Sequence, residues 1–560
     1  MDNHRNTRMR AVTFIAVLFV ILIIADRYYW AQISQWREDQ ATTVWLGYTA
    51  GIGNTPVGLI SSRYIPNPNG MILLGSVLSL LPNLLSISFV LGILQILLLS
   101  LVGWKSFRGN LEYFLLATIP VLSSLILRST SVELWNQYVV TLVNIFFIVW
   151  VMRYLEKPSL WNPPPIAALI LLAPSLYLAG LVNAFVMVFI TMGMLLYRRP
   201  KMSDLWRVTI VLLLILLVSV LLTWLPYFQN VSLRQLADIN KSLPGPIAIF
   251  KILWESLFGL PVYGTFQWAD QSVFPLAFKH ANEAILTQGT KILLRLVGRV
   301  YLLQAVFAFA AFAYAILQVL LKGLGRTEPR LAVNRPAIRL VILSMLFISL
   351  SFAISGWLGG PDWLHGERPD QIVQFLPMFL FFILLLPRLI TVEGRVGEII
   401  IGVSYLSWFV FISVNLICGF MVVRDHLQYR GEVLTEADVP LPDKMQVVDF
   451  IASDWMQHSA SKTVPVDYDI DRGVWDEVSL TEPAIKLTHW YPGCMTEGRG
   501  FDYELLRRYG LRNEQEGTQL RKFGDGRYLV TYAFEDPPQV KNGLATHYYF
   551  GRLRVSVVEN

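Results

Sequence analysis

The sequence predicts a polytopic α-helical membrane protein with an α+β domain at its carboxyl-terminal end. Of the 560 residues, 54% are hydrophobic and only 15% are charged, whereas soluble domains carry about 25% charged residues. A helix needs about 20 apolar residues to cross a bilayer, and the chain contains many such runs. Because polar residues become frequent after residue 425, we expect a transmembrane domain over 1–425 and a soluble domain over 426–560.

About eleven apolar runs are expected to span the membrane. Their approximate limits are 11–30, 84–104, 111–128, 134–152, 164–180, 182–197, 207–226, 298–321, 339–357, 371–387 and 397–422. Two of the connections, 31–83 and 227–297, are long. Each contains a short apolar segment, "NGMILLGSVLSLLPN" or "GPIAIFKILWESLFG", which is too short to span and is expected to form a helix on the membrane surface.

The distribution of Lys and Arg predicts the orientation of the chain. At least two cations, such as Arg5, Arg8 and Arg10 before the first run, occupy every second connection, and the short connections between them carry one or none. Such groups remain in the cytoplasm. We therefore expect a multi-pass protein of a bacterial or archaeal cell (inner) membrane, with a cytoplasmic amino terminus. The odd number of spans would place the carboxyl-terminal domain in the periplasm or outside the cell.

The soluble region is expected to combine a helix with strands. "PDKMQVVDFIASDW" has the pattern of an amphipathic helix opened by Pro and Asp, and "GRYLVTYAF" and "THYYFGRLRVSVV" alternate as strands do. From Arg424 onward, 16 Lys and Arg stand against 22 Asp and Glu, a net charge of −6, so the rest of the chain carries +12. A basic membrane region suits contact with anionic membrane lipids, and this distribution fits nucleic acid binding poorly.

Ionisable residues gather in the outer connections rather than in the middle of the spans, and such groups at a membrane are usually functional. The segment "QWREDQATTVWLGYTAGIGNTPVGLISSRYIPNPNG" places Asp39 beside Glu38 just after the first span. A partly desolvated carboxylate at this point can act as a general base, and a solvated loop acid is the alternative. Arg63 can hold a lipid phosphate through its forked donors, or it can simply extend to the head groups.

Two other outer connections carry candidate binding residues. "LRSTSVELWNQ" brings Arg128 and Glu133 to the same side of the membrane. "GGPDWLHGERPDQ" contains more ionisable residues than a tight turn requires, so both a plain turn and a binding site stay open; these residues are Asp362, His365, Glu367, Arg368 and Asp370. The chain has no P-loop, no G-x-S-x-G and no H-E-x-x-H motif, and we expect neither a metal nor a cofactor.

The plan of residues 1–425 resembles that of the GT-C glycosyltransferases, in particular the bacterial branch related to protein O-mannosyltransferases and lipid A aminoarabinose transferase. The resemblance comprises one helix, an outer loop with an acid near its start, surface helices, a series of spans and an outward soluble domain. The segments that carry it are "REDQATTVWLGYTAG", "PNPNGMILLGSVLSLLP", "LRSTSVELWNQYVVTL" and "ERPDQIVQFLPMFLFFILLLPRL".

This resemblance implies a transferase that passes a sugar from a polyprenyl-phosphate-linked donor to a lipid, glycan or protein acceptor outside the membrane, with inversion at the anomeric carbon. It makes Asp39 the base. The Asp-Glu pair of the family is Asp39-Gln40 here, preceded by Glu38, so whether Glu38 shares the role stays open. The other expected site residues are Arg63, Arg368 and Arg128 for the donor phosphate, and Glu133, Asp362, His365 and Glu367 for the substrates.

Three other classes of protein stay open from the sequence. A transporter or flippase for lipid-linked sugars would place polar residues in the middle of the membrane on broken helices. A ligase or polymerase of lipid-linked glycans would share both the membrane setting and the outer site. An accessory protein would have an inert Asp39 and a functional carboxyl-terminal domain.

Overall fold

The computed structural model of the protein describes most of the chain. The described residues are 2–36, 38–49, 58, 67–106, 111–159, 161–178, 180–198, 202–230, 285–323, 335–359, 378, 380–381, 383–385, 395–431, 438–470, 499–514, 527–535 and 545–558.

The membrane region consists of helices, because a helix satisfies its own backbone hydrogen bonds where no water is available. In chain order they are α1 (Asp2–Gln32), α2 (Glu38–Thr49), α3 (Gly70–Leu78), α4 (Leu84–Ser106), α5 (Leu111–Ser123), α6 (Leu125–Ser131), α7 (Asn136–Glu156), α8 (Pro163–Leu176), α9 (Gly180–Arg198), α10 (Met202–Ser219), α11 (Leu225–Asn230), α12 (Gln288–Gly323), α13 (Arg335–Gly359) and α14 (Arg395–Gln428). A single π-helical turn, Val220–Trp224, joins α10 to α11.

The expectation of a helical integral membrane protein is confirmed. Among the described residues, five helices are long and apolar enough to cross a membrane: Leu84–Ser106, Tyr138–Glu156, Gly180–Tyr197, Thr209–Gln229 and Leu406–Gln428. Ten of the eleven predicted spans overlap described helices, and most of the run 371–387 lies outside the described residues. The number of spans and the orientation of the chain stay predictions.

Two helix boundaries differ from the prediction. The expected span 111–128 is divided at Ser124, whose backbone is not helical (φ −50°, ψ 121°) and whose hydroxyl accepts a bond from the Leu127 N–H, as a helix N-cap does. Helix α12 begins at Gln288 rather than near 298. Asp425 of α14 accepts hydrogen bonds from the backbone N–H of Thr287 and the hydroxyl of Thr290, at 2.9 and 2.5 Å. These bonds stabilise the additional turns of α12.

The segment 69–83 contains the predicted short helix, α3, which packs tightly against α2; its location on the membrane surface stays a prediction. A Cβ atom added to Gly47 of α2 would lie 2.3 Å from the Ser76 nitrogen, and one added to Gly75 of α3 would lie 2.4 Å from the Thr43 oxygen. The two backbones therefore touch, which only glycine permits. We call α2 and α3 the floor helices. The other predicted surface segment, 245–259, lies outside the described residues.

The longest helices, α12 and α14, lie along each other in the membrane region. The rings of Tyr301 and Phe411 meet between them, with centroids 4.9 Å apart. The Tyr301 hydroxyl is also 2.5 Å from that of Ser124, which ties the break between α5 and α6 to α12. Helix α4 packs against α1 and α7, and α8 packs against α7 and α9.

The carboxyl-terminal region combines helices with a mixed sheet, as the sequence predicts. Its elements are α15 (Leu441–His458), β1 (Thr463–Val464), β2 (Val466–Asp469), α16 (Arg499–Glu504), β3 (Arg512–Asn513), β4 (Tyr528–Tyr532), β5 (Ala545–Phe550) and β6 (Leu553–Val558). The main sheet has the order β2-β4-β6-β5, in which β2 and β4 are parallel and the other pairs are antiparallel. Helix α15 packs on β5 and β6, and its apolar face joins the core of the sheet.

The segment "THYYFGRLRVSVV", which has the predicted strand character, forms the two strands β5 and β6. Gly551 adopts a φ of +58°, which glycine reaches without strain, and it turns β5 back into β6. The next residue, Arg552, is almost completely buried and forms hydrogen bonds with main-chain carbonyls at and after the end of α14. Its Nε donates to the Tyr429 carbonyl at 3.0 Å, and its other nitrogens donate to the carbonyls of His426 and Asp438.

Candidate functional site

The carboxyl-terminal region packs on one end of the membrane region, which we call the domain end. Described contacts join it to the end of α1, the floor helices, the start of α4 and the end of α14. The candidate acids Glu38 and Asp39 belong to this end, because they form the first turn of α2. The site is therefore built around the start of α2.

The chain just before α2 is fixed from both sides. Trp36 is 1% exposed, and its indole N–H donates to the Ser88 hydroxyl of α4 at 3.0 Å. From the carboxyl-terminal region, the Lys444 ammonium donates to the Trp36 carbonyl at 3.1 Å. These two bonds determine where α2 begins. The side chains of Glu38 and Asp39 themselves lie outside what the structure describes.

Glu133 contacts both sides of the acid pair. One of its oxygens accepts a bond from the Gln35 backbone N–H at 2.8 Å, and the other lies 3.4 Å from the amide nitrogen of Gln40. The sequence predicts that the link "LRSTSVELWNQ" lies on the same side of the membrane as the outer loop, and the structure adds a direct contact between the two at Glu133. The contact also gives a physical reason for Gln at position 40, since a glutamate there would place two carboxylates side by side.

Arg128 lies on the same link but is engaged in an ion pair. Its Nε donates to Asp26 Oδ2 at 2.8 Å, a second nitrogen donates to Asp26 Oδ1, and a third donates to the Asn415 carbonyl at 2.7 Å. The guanidinium also lies over the Trp30 ring, 5.8 Å from its centroid. With 1% of its surface exposed, Arg128 ties α1 to α6 and α14. Its expected contact with a donor phosphate stays a prediction.

A second arginine shares the same carboxylate. Arg27 is fully buried, and it donates to Asp26 at 2.9 Å and to the Leu122 carbonyl at 3.3 Å. Its Nε has no hydrogen-bond partner among the described residues. Among the described residues, the two guanidinium groups of Arg27 and Arg128 share the carboxylate of Asp26, whose side chain is 20% exposed. The two arginines make this part of the domain end basic.

Sequence reasoning missed Asp26 and Arg27 as site residues. The signal was present, because two adjacent ionisable residues interrupt the apolar run "LFVILIIADRYYW", and such residues in a transmembrane helix are usually functional or paired. Their pairing with Arg128 required the fold, since the partners are about one hundred positions apart in the chain.

The carboxyl-terminal region makes a second group of contacts farther along the floor helices. The Glu504 carboxylate accepts a bond from the Leu84 N–H at the start of α4, at 2.5 Å. Arg507 donates to the carbonyls of Ser79 and Leu80, at 3.0 and 3.2 Å, just beyond the end of α3. Both ends of the α3–α4 connection are therefore held by side chains of this region.

Burial makes Glu504 an unusual acid. The residue is 3% exposed, and burial raises the pKa of its carboxyl to about 7, although the Leu84 N–H and the Arg508 charge oppose this shift. Arg508 is only a distant partner, with its Nε 3.9 Å from the second carboxylate oxygen. Nothing in the sequence around Glu504 indicated this role.

Five of the predicted site residues lie outside the described part of the chain. They are Arg63, Asp362, His365, Glu367 and Arg368, and their expected roles stay predictions. Among the residues that the structure describes, no group of three or more His, Cys, Asp or Glu side chains is placed to hold a metal ion.

Fold and site together define a helical integral membrane protein in which a carboxyl-terminal region with a mixed sheet packs against a short helical pair at one end of the membrane region. One solved structure matches the chain over nearly its full length. It is the crystal structure of ArnT, a lipid A aminoarabinose transferase, from Cupriavidus metallidurans bound to undecaprenyl phosphate. The match covers 97% of this chain and 98% of ArnT, with a TM-score of 0.43 and 11% sequence identity. No family model and no curated protein sequence matches the chain.

Proposed function

We propose that the protein is a membrane glycosyltransferase, which takes a sugar from a polyprenyl-phosphate donor and passes it to an acceptor at the domain end of the membrane region. The observation that carries this proposal is the fixed position of the first turn of α2, which contains Glu38 and Asp39 and is held by Glu133 and Trp36. A carboxylate at this position can accept a proton from an acceptor nucleophile. The sequence resemblance favours Asp39 for this role.

In the proposed reaction, a hydroxyl or amine of the acceptor attacks the anomeric carbon of the sugar. The bond from that carbon to the phosphate oxygen breaks, and the polyprenyl phosphate leaves with the electron pair. The proton of the acceptor passes to the Asp39 carboxylate. Since the attack is opposite to the leaving group, the anomeric configuration inverts. The protein therefore has to align two substrates, supply the base and stabilise the departing phosphate.

The phosphate would be held by arginine side chains, which bind phosphate oxygens in a forked arrangement. Arg63 and Arg368 are the proposed direct ligands. Arg128 would contribute mainly through charge, because its guanidinium is already bonded to Asp26, a carboxylate that Arg27 also contacts. Asp362, His365 and Glu367 are proposed to contact the substrates, and Glu133 contributes by holding the residues on both sides of Glu38 and Asp39.

The first test is transfer of radiolabelled sugar from polyprenyl-phosphate donors in reconstituted membranes. We expect Asp39→Asn to lower the rate of transfer by about 100- to 10,000-fold, which is the usual contribution of a general base. Asp469→Asn is the matched control, because Asp469 is an exposed acid on β2. Glu38→Gln asks whether the neighbouring acid shares the role.

Each outcome of this test decides a different part of the proposal. Transfer by the wild type and by Asp469→Asn, but not by folded Asp39→Asn, would support both the activity and the base. Equal transfer by all variants would keep the activity and remove Asp39 as the base. A product with retained configuration would contradict direct displacement, and no transfer from any donor would overturn the proposed function.

Transport of a lipid-linked sugar is the second candidate function. It is favoured by the buried cluster of Asp26, Arg27 and Arg128, because transporters hold paired charges within the membrane. Against it, Asp26 lies six residues before the end of α1, or about 9 Å along a helix, rather than at the middle of the membrane. Movement of a fluorescent lipid-linked sugar across proteoliposome membranes without any acceptor would favour transport.

A further inference from the structure

The carboxyl-terminal region contacts the chain immediately before α2 and also the last turn of that helix. Before α2, Lys444 binds the carbonyl of Trp36, two residues ahead of the first helical position. In the last turn, the ring of Tyr503 meets that of Tyr48 edge to face, with centroids 6.2 Å apart. The Arg507 guanidinium lies over the same Tyr48 ring, at 5.7 Å. The helix is thus contacted along its length by a region more than 390 positions away in the sequence.

Lys444 is the residue of the carboxyl-terminal region that contacts the main chain just before α2. It is 4% exposed. Its ammonium group donates to the Trp36 carbonyl at 3.1 Å and lies 5.9 Å from the centroid of the Phe501 ring. A hydrogen bond from a buried side chain to a main-chain carbonyl restricts where that part of the chain can lie. The contact with Trp36 therefore links the position of the carboxyl-terminal region to the start of α2.

The floor helices transmit this placement as one unit. The backbones of α2 and α3 touch at Gly47 and Gly75, so one helix cannot shift without the other. Arg507 holds the chain after α3, and Glu504 holds the start of α4. With the start of α2 fixed by Lys444, the pair is held at both ends by the carboxyl-terminal region.

We infer that the carboxyl-terminal region is a positioning device for the proposed active site, and that Lys444 is the residue that sets the location of Asp39 through the main chain of Trp36. This inference rests on the proposed function. In this arrangement Lys444 acts through the main chain ahead of α2. The region is therefore part of the catalytic unit, not an appended recognition module.

The test compares Lys444→Met with Lys462→Met, which makes the same change at an exposed position of the same region. Hydrogen exchange of the α2 amides, residues 38–49, is measured in reconstituted membranes together with sugar transfer. We expect Lys444→Met to speed exchange in α2 and to lower kcat by about 10- to 100-fold, since small misplacements of reacting groups cost rates of this order. The donor KM should change less than twofold. Lys444→Arg, which retains a donor, should restore most of the rate, and Lys462→Met should behave as wild type.

Hydrogen exchange separates a failure of this inference from a failure of the proposed function. If the wild type transfers no sugar, the exchange of α2 still tests the placement. Unchanged exchange in α2 of Lys444→Met would overturn the inference even if the activity fell. A rise that extends over β4 and β6 would also overturn it, because that result indicates general loss of stability.

A second variant covers the case in which Lys444→Met does not fold. Arg507→Gln removes the contacts with Ser79, Leu80 and the Tyr48 ring from a partly exposed position. We expect faster exchange at the carboxyl-terminal end of α2 and a smaller loss of kcat. Unchanged exchange there would count against the inference in the same way.

Discussion

The Glu504 carboxyl group is buried where the carboxyl-terminal region contacts the start of α4. Because its pKa is raised to about 7, this contact is sensitive to pH. A buried acid with a raised pKa favours the protonated state in the fold. Its contribution to stability is therefore greatest below the unfolded pKa of about 4.5, decreases as the pH rises toward 7, and then stays constant. The whole change is on the order of 3 kcal/mol.

We predict that Glu504→Gln removes this pH dependence and stabilises the protein above pH 7. The amide oxygen of glutamine can still accept the Leu84 N–H, but it carries no charge to desolvate. The midpoint of thermal unfolding, measured between pH 4.5 and 8 in detergent, checks this expectation. Asp469→Asn, at an exposed position, should leave the pH profile unchanged. A Glu504→Gln variant that follows the wild-type profile would show that another group is responsible.

At the residue scale, the sequence indicated which residue types belong to the site but not how they pair. The alternation of spans put Glu133 on the same side of the membrane as the acid-bearing loop, but their direct contact required the fold. The ion pairs of Asp26 could not be predicted, because a helix that is apolar on all sides gives no indication of which face contacts other helices. The contacts of Lys444 and Glu504 were beyond sequence reasoning, since each joins a side chain to main-chain atoms that any residue supplies.

The crossing of α2 and α3 is the element on which the proposed site depends most. Gly75→Ala would add a Cβ atom 2.4 Å from the Thr43 oxygen, and this neighbour is backbone that cannot rotate away. We predict a loss of about 1–3 kcal/mol of stability, as for other overpacked contacts. Sugar transfer should fall as well, because the two helices must separate.

Gly193→Ala in α9 is the matched control, since no heavy atom lies within 4 Å of the added Cβ atom. Alanine also favours a helix more than glycine does, by about 1 kcal/mol, so this variant should be as stable as the wild type or more so. Thermal unfolding and transfer rates of the two variants decide the matter. Equal behaviour would mean that the floor helices adjust without cost.

At the scale of elements, apolar length and periodicity predicted most helices and strands, and the misplaced boundaries have local causes. The division of the span 111–128 depends on the cap formed by Ser124, and the early start of α12 depends on Asp425 from a distant helix. When a helix is capped by a residue that is distant in the sequence, the sequence of the helix itself does not show where the helix begins. The strand pattern of 546–558 did not show where the chain reverses, which depends on the positive φ of Gly551.

At the scale of the whole molecule, the predicted orientation places the carboxyl-terminal region outside the cytoplasm. We predict that a cysteine introduced as Asp469→Cys on β2 reacts with a membrane-impermeant thiol reagent applied to intact spheroplasts. A cysteine introduced as Trp161→Cys should react only after the membrane is opened. Trp161 is 77% exposed in the folded chain, so the protein itself does not shield this position, and labelling after the membrane is opened checks that the reagent reaches it.

The native cysteines allow this experiment with one further substitution. Cys418 is buried in α14 and should stay unreactive, and Cys494 is replaced by serine in both variants. If Trp161→Cys is labelled in intact spheroplasts and Asp469→Cys is not, the orientation of the chain is the reverse of the predicted one. The proposed acceptor would then have to be a cytoplasmic molecule.

The carboxyl-terminal region holds the membrane region largely by main-chain atoms of its partner: the carbonyls of Trp36, Ser79, Leu80 and His426 and the N–H of Leu84. Such atoms are the same whatever side chain follows. In related sequences, the selective pressure on this contact should therefore fall on one partner, at Lys444, Glu504, Arg507 and Arg552. The residues of the membrane region that contribute only main-chain atoms to this contact could vary in sequence. Chimaeras that exchange the carboxyl-terminal region between distant relatives should therefore still assemble when these four residues are kept.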